Sequence, residues 1–451
     1  MRVHFIAIGG SAMHNLAIAL HLKGYEISGS DDEIFEPSYT RLKKHGLLPV
    51  EMGWSADNIS TELDAVILGM HARIDNPELL EAQKLGLKIY SYPEYLYEQS
   101  KDKKRVVIGG SHGKTTITAM ILHILKFAEV DTDYMVGAQL EGFDVMVRLS
   151  HEAEWMIMEG DEYLTSPIDR RPKFLHYKPN IALISGIGWD HINVFPTFDN
   201  YLQQFRDFIK AIEPGGCLIY NQEDEEVQKL VEGARCEIKP YQTHQFEMVN
   251  NRTVIPVGSG RTIELDIFGR HNLSNLSAAI AVCEQMGIAK EMAYDAIKTF
   301  QGASKRLECL GSNDHAALYR DFAHAPSKVK ASTAALKLKY SDRQLIVCLE
   351  LHTFSSLSAS FIDQYANCLD EADSAVVFYD HHSVELKKLA LMDAELIKTA
   401  FRKKDIVVVN DPEELLAFID NVKTFPLAVA CMSSGSFRGL DFNRLKRIIS
   451  L

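Results

Sequence analysis

Apolar residues come in short bursts along this chain, and nearly every burst stops at glycine, serine, aspartate or asparagine. VHFIAIGG (residues 3–10), YEISGSD (25–31) and DAVILGM (64–70) set the pattern, with helix-period segments between them. RVVIGG, EWMIMEG, IALISGIG and CLIYNQ repeat it between residues 105 and 222. QLIVCLEL, SAVVFYD, DIVVVN and PLAVACMSSGS repeat it again from residue 344 onward. Bursts of this length predict buried strands, and their alternation with helices predicts parallel sheets with helices on their faces. The chain therefore reads as three α/β units in a row, the first ending near residue 100 and the second near Gly311. The charged run Gln99–Arg105 (QSKDKKR) reads as a linker between the first two. In NDPEELLAFIDNV, Asp411 is placed to cap a helix and Pro412 to occupy its first turn. Ligands of such sheets collect beyond the carboxyl ends of the strands.

One strand-to-helix junction carries chemistry. After RVVI the chain turns on Gly109 and Gly110 and enters a helix at Lys114, where Ile117, Met120, Ile121, Ile124 and Leu125 mark a buried stripe. Glycines let backbone N–H groups approach phosphate oxygens, and a helix N-terminus adds partial positive charge. Lys114 can reach β- and γ-phosphates, and the Thr115 hydroxyl suits Mg²⁺. The usual loop is G-x-x-x-x-G-K-S/T; residue 108 is Ile, so this one is a residue shorter, Gly109 to Thr115. Chance G-K-T triplets are common in loops, but one placed between an apolar strand and an amphipathic helix predicts ATP binding. Mg²⁺ needs oxygen ligands from a second element. EWMIMEGDEY supplies a strand ending in Glu159, Asp161 and Glu162, a solvated strand end being the plainer alternative. IALISGIGWDHINVF ends in Trp189-Asp190-His191. Histidine is an unusual Mg²⁺ ligand, so chemistry alone makes His191 a phosphate-side group or a structural residue.

Composition narrows the class. At 451 residues, 46% hydrophobic and 24% charged, the chain has material for several cores. A net charge of −13 argues against general nucleic-acid or anionic-membrane binding. The seven cysteines are dispersed and odd in number, which predicts buried thiols in a reducing cytoplasm rather than a disulfide framework or structural zinc. The N-terminal apolar run is broken by Gly9-Gly10 and His14 and lacks a small-x-small cleavage site, so it reads as strand and helix rather than a signal peptide. No apolar stretch is long enough to span a bilayer. IAIGGSAM is similar to a dinucleotide fingerprint, but Ser11 and His14 stand where the second and third glycines belong, which weakens an oxidoreductase reading. Asp31 falls about where a ribose-binding acid should.

Taken together, these residues resemble the Mur ligase family, the ATP-dependent amide-forming enzymes of peptidoglycan assembly, along essentially the whole chain. The family's short loop appears as GSHGKTT, which implies ATP contacts from Gly110, Ser111, His112, Gly113, Lys114, Thr115 and Thr116. The family's magnesium ligands imply a metal held by Thr115, Glu159 and His191. GRHNLSN matches its adenine motif and implies Asn272 and Asn275, whose amides suit a purine edge. Arg306, in GASKRLE, would stabilise a transferring γ-phosphoryl group and join Lys114 and His191 in catalysis. DFAHAP matches its ribose and hinge motif and implies Asp321 at ATP and His324 near the amine. AIGGSAM and GSD match the branches that bind UDP-N-acetylmuramate, implying Gly9, Gly10, Ser11, Ala12, Met13, Ser30, Asp31 and His71 as UDP-sugar contacts.

The resemblance implies a Rossmann-like UDP-sugar domain (1–102), a central P-loop ATPase-like α/β domain (103–312) and a Rossmann-like C-terminal domain (313–451) that binds the amine and closes over ATP. ATP and one or two Mg²⁺ ions are the implied cofactors, and UDP-N-acetylmuramate and an amine the implied partners, with no nucleic acid, membrane or obligate protein partner and a cytoplasmic location. EGDEYLTSPIDRRPKFLHYKP and DDEIFEPSYTRL resemble the branch that attaches the intact tripeptide L-Ala-γ-D-Glu-meso-diaminopimelate; the branch that adds L-alanine has a shorter first segment. The amine is expected at Glu162, Tyr163, His324, Glu350 and His352. Departures cluster there: His352 stands at an arginine position of the tripeptide branch, Thr353 replaces the arginine of the alanine branch's His-Arg pair, and Ala325 replaces a second histidine. FPTFDNYLQQFRDF holds no lysine, so no carbamylated lysine is expected. An idle UDP-muramate sensor, a folate polyglutamate-type ligase and a plain NTPase are the rival readings.

Overall fold

The computed structural model describes every residue except 139–142, 144, 167, 190–193, 259 and 304–305. The N-terminal sheet comprises β1 (Arg2–Ile6), β2 (Glu26–Ser30), β3 (Ala65–Leu68) and β4 (Ile89–Ser91), all parallel in the order β2-β1-β3-β4. The central sheet comprises β5 (Lys104–Gly109), β6 (Thr132–Met135), β7 (Val147–Arg148), β8 (Trp155–Glu159), β9 (Ile181–Ile184), β10 (Cys217–Asn221) and β11 (Glu237–Tyr241). Its order is β11-β10-β9-β5-β8-β6-β7, parallel except where β7 runs against β6. β5 lies in the middle, and Val106, Val107 and Ile108 are wholly buried. Strands covered on both faces read as unbroken apolar runs, which is why the sequence marked them.

A small antiparallel meander follows, β12 (Glu247–Val249), β13 (Arg252–Pro256) and β14 (Thr262–Leu265). The apolar pattern missed it, because these short strands alternate buried and exposed positions. Its signal was Asn250-Asn251, which hold φ of 51° and 61° in a two-residue hairpin turn. The C-terminal sheet comprises β15 (Glu308–Ser312), β16 (Ala316–Asp321), β17 (Gln344–Glu350), β18 (Ser374–Phe378), β19 (Val407–Val409) and β20 (Leu427–Met432), ordered β15-β16-β20-β17-β18-β19. Only β15 is antiparallel. The architecture is the expected succession of Rossmann-like, ATPase-like and Rossmann-like α/β sheets. By packing, the chain forms two compact units, Met1–Ile187 with Phe198–Tyr241 and Ala281–Ile288, and Gly188–Thr197 with Gln242–Ile280 and Ala289–Leu451.

Asp411 caps its helix as expected, accepting the Glu413 N–H at 2.8 Å with Pro412 in the first turn. The Gln99–Arg105 run is not a loose linker. The helix Tyr92–Ser100 and β5 leave only a tight turn between them. Arg105 is buried, its guanidinium donating to the carbonyls of Tyr177, Lys178, Ser100, Lys101 and Lys103. Charge on the sequence suggested solvent; a ring of carbonyl acceptors permits burial instead. The cysteines are free and mostly buried, but Cys309, on the edge strand β15, is exposed.

Candidate active site

β5 ends at Gly109 and the chain crosses to the helix Lys114–Phe127. Gly110 holds φ +121°, and a Cβ there would lie 2.3 Å from Ser185 Oγ and 2.9 Å from the Ser185 nitrogen. Only glycine fits this left-handed, crowded corner. The loop is stapled to the end of β9: the Ser111 N–H donates to the Gly186 carbonyl (2.9 Å), the Ser185 N–H to the Gly109 carbonyl (3.1 Å), and the Ser185 hydroxyl to the His112 carbonyl. Gly113, at φ +78°, caps the helix without a side chain, and no acid stands in the first turn, where Thr115 and Thr116 are buried. The first-turn N–H groups thus keep an anion-attracting end.

Lys114 Nζ donates to the Gly110 carbonyl (2.7 Å) and to Glu162 Oε2 (2.6 Å). Burial alone would lower this ammonium, but Glu162 first, then Asp161 and Glu159, hold its pKa above the ordinary lysine value. Lys114 is therefore a half-buried cation held in its charged form. The second oxygen of Glu162 accepts from Tyr201 (3.1 Å), whose hydroxyl shares a hydrogen bond with Ser111 Oγ (2.8 Å). The helix Phe198–Lys210 positions Tyr201 by burying Tyr201, Leu202, Phe205, Phe208 and Ile209, and the Phe174 ring stacks on Phe208 at 4.5 Å. At the end of β8, Glu159 accepts from Thr115 Oγ1 (3.1 Å) and from the Gly137 N–H (2.9 Å). Thr115 and Glu159 so form a pair of oxygen donors of the kind a hard cation requires. Tyr163 follows this group, its N–H on Asp161 (3.2 Å). His191 lies outside the described residues. Sequence reasoning missed Tyr201, Ser185 and Gly137; each meets the loop from a distant strand or helix, and nothing local marks them.

The N-terminal turn is built differently. Asp31, buried after β2, accepts the Gly9 N–H at 2.7 Å. Burial pushes its carboxyl up to about 6, against the pull of that hydrogen bond. Gly10 caps the helix Ser11–Leu22 without a side chain; Ser11 and Ala12 are exposed and Met13 is buried. His14 bridges the turn, its Nδ1 2.9 Å from the Gly10 carbonyl and 3.0 Å from Ser38 Oγ. That bridge gives a structural reason for histidine at a glycine position. The Ser30 hydroxyl is turned inward onto the Glu78 carboxylate, while His71 is exposed in the turn after β3.

In the second unit, β16, β20 and β17 bring their carboxyl ends together. Asp321 ends β16 and Glu350 ends β17. Ser433, just past β20, donates its N–H to the Asp321 carbonyl (2.9 Å) and its hydroxyl to Glu350. Burial alone would raise the Glu350 pKa, but the nearby His352 imidazole and hydrogen bonds from Ser433 and the Phe437 N–H hold it below the usual carboxylate range. His352 Nδ1 lies 3.6 Å from Glu350 Oε1. The Asp321 carboxylate accepts from Ser332 and opposes the burial that lowers the His271 pKa. Asn272 Nδ2 donates to the Phe268 carbonyl (3.0 Å), and Asn272 Oδ1 accepts from Asn275 Nδ2 (3.5 Å). The Arg306 guanidinium covers the Phe322 ring at 4.5 Å, and the His324 ring meets that ring edge-on at 5.2 Å. Ser433 is the partner the sequence did not announce.

A central parallel strand feeding a glycine turn, a charged lysine and a hydroxyl–carboxylate pair defines a nucleotide-dependent α/β enzyme. Three family models match this chain: Mur ligase family, catalytic domain (residues 2–104), Mur ligase middle domain (108–283) and Mur ligase, glutamate ligase domain (305–435). It is 33% identical over 394 residues to a UDP-N-acetylmuramate–L-alanine ligase of Caldicellulosiruptor bescii, covering 83% of this chain and 82% of the relative. The chain belongs to the Mur ligase family and is an ATP-dependent ligase. Among solved structures it is similar to the UDP-N-acetylmuramate:L-alanyl-γ-D-glutamyl-meso-diaminopimelate ligase of Neisseria meningitides (26% identity, TM-score 0.60, 66% of this chain and 98% of that one). It shares its fold with the UDP-N-acetylmuramate–alanine ligase of Thermotoga maritima (21% identity, TM-score 0.71, 100% and 98%). Among the described residues no helix is long and apolar enough to cross a membrane.

Proposed function

We propose that this ligase joins the lactyl carboxylate of UDP-N-acetylmuramate to the amine of L-Ala-γ-D-Glu-meso-diaminopimelate, in the cytoplasm. The observation that carries the reading is Lys114, held charged by Glu162 at 2.6 Å and next in sequence to the Thr115–Glu159 donor pair. In the proposed reaction the carboxylate attacks the γ-phosphorus of ATP, ADP leaves, and the acyl phosphate so formed is attacked by the amine with loss of phosphate. Lys114 would neutralise the transferring phosphoryl group, Glu162 yielding its hold as phosphate arrives, and Arg306 would add a second cation. Thr115 and Glu159, with His191, would hold Mg²⁺, which when bound supplies charge cancellation between two anions. Asn272, Asn275 and Asp321 would bind adenosine, and Gly9 to Met13 with Ser30, Asp31 and His71 the UDP-sugar. Glu162, Tyr163, His324, Glu350 and His352 would face the amine. The proposed domain limits are 102/103 and 312/313, the second moved ahead of β15 because that strand pairs with β16 in the C-terminal sheet.

Support for the tripeptide comes from the extended Glu159–Pro179 segment and from the Neisseria relative's name. A second reading, L-alanine as the amine, is favoured by the curated relative at 33% identity. Phosphate release with UDP-N-acetylmuramate and ATP, comparing the two amines, decides. Turnover with the tripeptide and little with L-alanine is expected. The reverse ranking would replace the first reading with the second, and no release with either amine would leave the idle sensor.

A further inference from the structure

Beyond Glu162 the chain makes an excursion, within the Glu159–Pro179 segment, whose charged groups gather beside a cleft. A cleft of about 330 Å³ lies between β4 and this excursion, lined by Tyr90, Ser91, Glu94, Ser166, Asp169 and Arg171 among others. Glu94 opens the helix Tyr92–Ser100 in a capping box, its Oε2 taking the Ser91 N–H (2.8 Å) and hydroxyl (2.7 Å). Its Oε1 is left 3.9 Å from Arg171. His176 ends the turn Lys173–His176 with a side chain only 7% exposed. Its Nε2 has no hydrogen-bond partner, although it stands 3.3 Å from Asp169 Oδ2. Burial first, and Arg171 next, lower the His176 pKa below the ordinary histidine value. A buried imidazole nitrogen without a partner is costly unless something occupies it.

We propose that Glu94, Asp169 and His176 form a second metal site, for a zinc-class divalent ion, separate from the Thr115–Glu159 pair. Their donor atoms all lie within 4.8 Å of one another. A tetrahedral zinc site has donors roughly 3.3 Å apart, from bonds of about 2.0–2.1 Å, so a small turn of the Glu94 carboxylate closes the set. Two carboxylates and a neutral imidazole select zinc-class ions over Mg²⁺, which prefers oxygen alone. Arg171 now stands in as the cation, its Nη2 2.6 Å from Asp169 Oδ2. Its side chain is 63% exposed, so it can swing into solvent when an ion arrives. The ion would clip the helix after β4 to the excursion of the central sheet.

Equilibrium dialysis of the full chain against Zn²⁺ alone, with metal counting, tests this. Glu94→Gln keeps a capping box, so folding is preserved and thermal unfolding can verify it. The parent should bind one ion more than Glu94→Gln or Asp169→Asn, and Glu159→Gln should retain that ion. Arg171→Gln should bind it roughly tenfold more tightly, since removing a competing charge at this range is worth about 1.4 kcal/mol. Equal stoichiometry in parent and Glu94→Gln, loss in Glu159→Gln instead, or weaker binding in Arg171→Gln overturns the proposal.

Discussion

At Gly9-Gly10 the chain leaves β1 for the helix Ser11–Leu22, and at Gly109-Gly110 it leaves β5 for the helix Lys114–Phe127. Both helices start on a glycine cap with no side chain at their first N–H groups. The groups gathered around them are opposite. The central turn has a half-buried cation, Lys114, balanced by Glu162, and a tyrosine that ties Glu162 to the loop. The N-terminal turn has a buried acid, Asp31, on the Gly9 N–H, and no lysine or arginine between residues 9 and 22. A cation suits a triphosphate whose charge shifts during transfer. An acid suits hydroxyl donors on a ligand that is held and not cleaved. On the proposed function, the same strand–glycine–helix device would serve chemistry in one place and retention in the other.

Four measurements break or sharpen this contrast. Lys114→Ala should reduce phosphate release on the order of 10³-fold and leave UDP-N-acetylmuramate affinity unchanged by calorimetry; a parallel loss of affinity would mean the turns do not act separately. Gly110→Ala should come next, costing roughly 2–3 kcal/mol of stability through its left-handed φ and the fixed Ser185 backbone. Gly9→Ala should cost less, about 1 kcal/mol, because its backbone is not left-handed and its Cβ meets side chains, Ile34 at 2.8 Å and Asp31 at 2.9 Å, rather than backbone. Equal losses in denaturant unfolding would erase the distinction.

The third measurement is pH-dependent. The Asp31 carboxyl sits at about 6 in the folded state, above its ordinary 3.8. Its protonation therefore favours the fold in full below about pH 4, and that contribution is lost as pH rises through 6. Asp31→Asn should stabilise the protein more at pH 7 than at pH 4 relative to the parent; an equal effect at both would place the charge in water. Smallest, Tyr201→Phe should remove about 1 kcal/mol of hydrogen bonding, lowering kcat several-fold with the ATP KM nearly constant. An unchanged kcat would show that Glu162 holds Lys114 without help.

Much of the candidate site could be read before folding. Lys114, Thr115 and Glu159 follow from strand ends and a glycine turn, and Asp411 from its place before Pro412. What failed did so for identifiable reasons. Arg105 carries charge and reads as a linker residue, yet backbone carbonyls surround it. The meander β12–β14 had a legible Asn-Asn turn but strands too polar for the apolar pattern.

By itself, then, the sequence determined periodicities, caps and glycine turns, because these depend on residues within a few positions of one another. Tertiary structure alone decided that Tyr201 would link Ser111 to Glu162 and that Ser433 would join Asp321 to Glu350. The reason is strand order. β5 pairs with β8 and β9, and β20 inserts between β16 and β17. Parallel neighbours must be joined by crossovers, so the partners that complete each site arrive from far along the chain and are selected by packing rather than by local propensity.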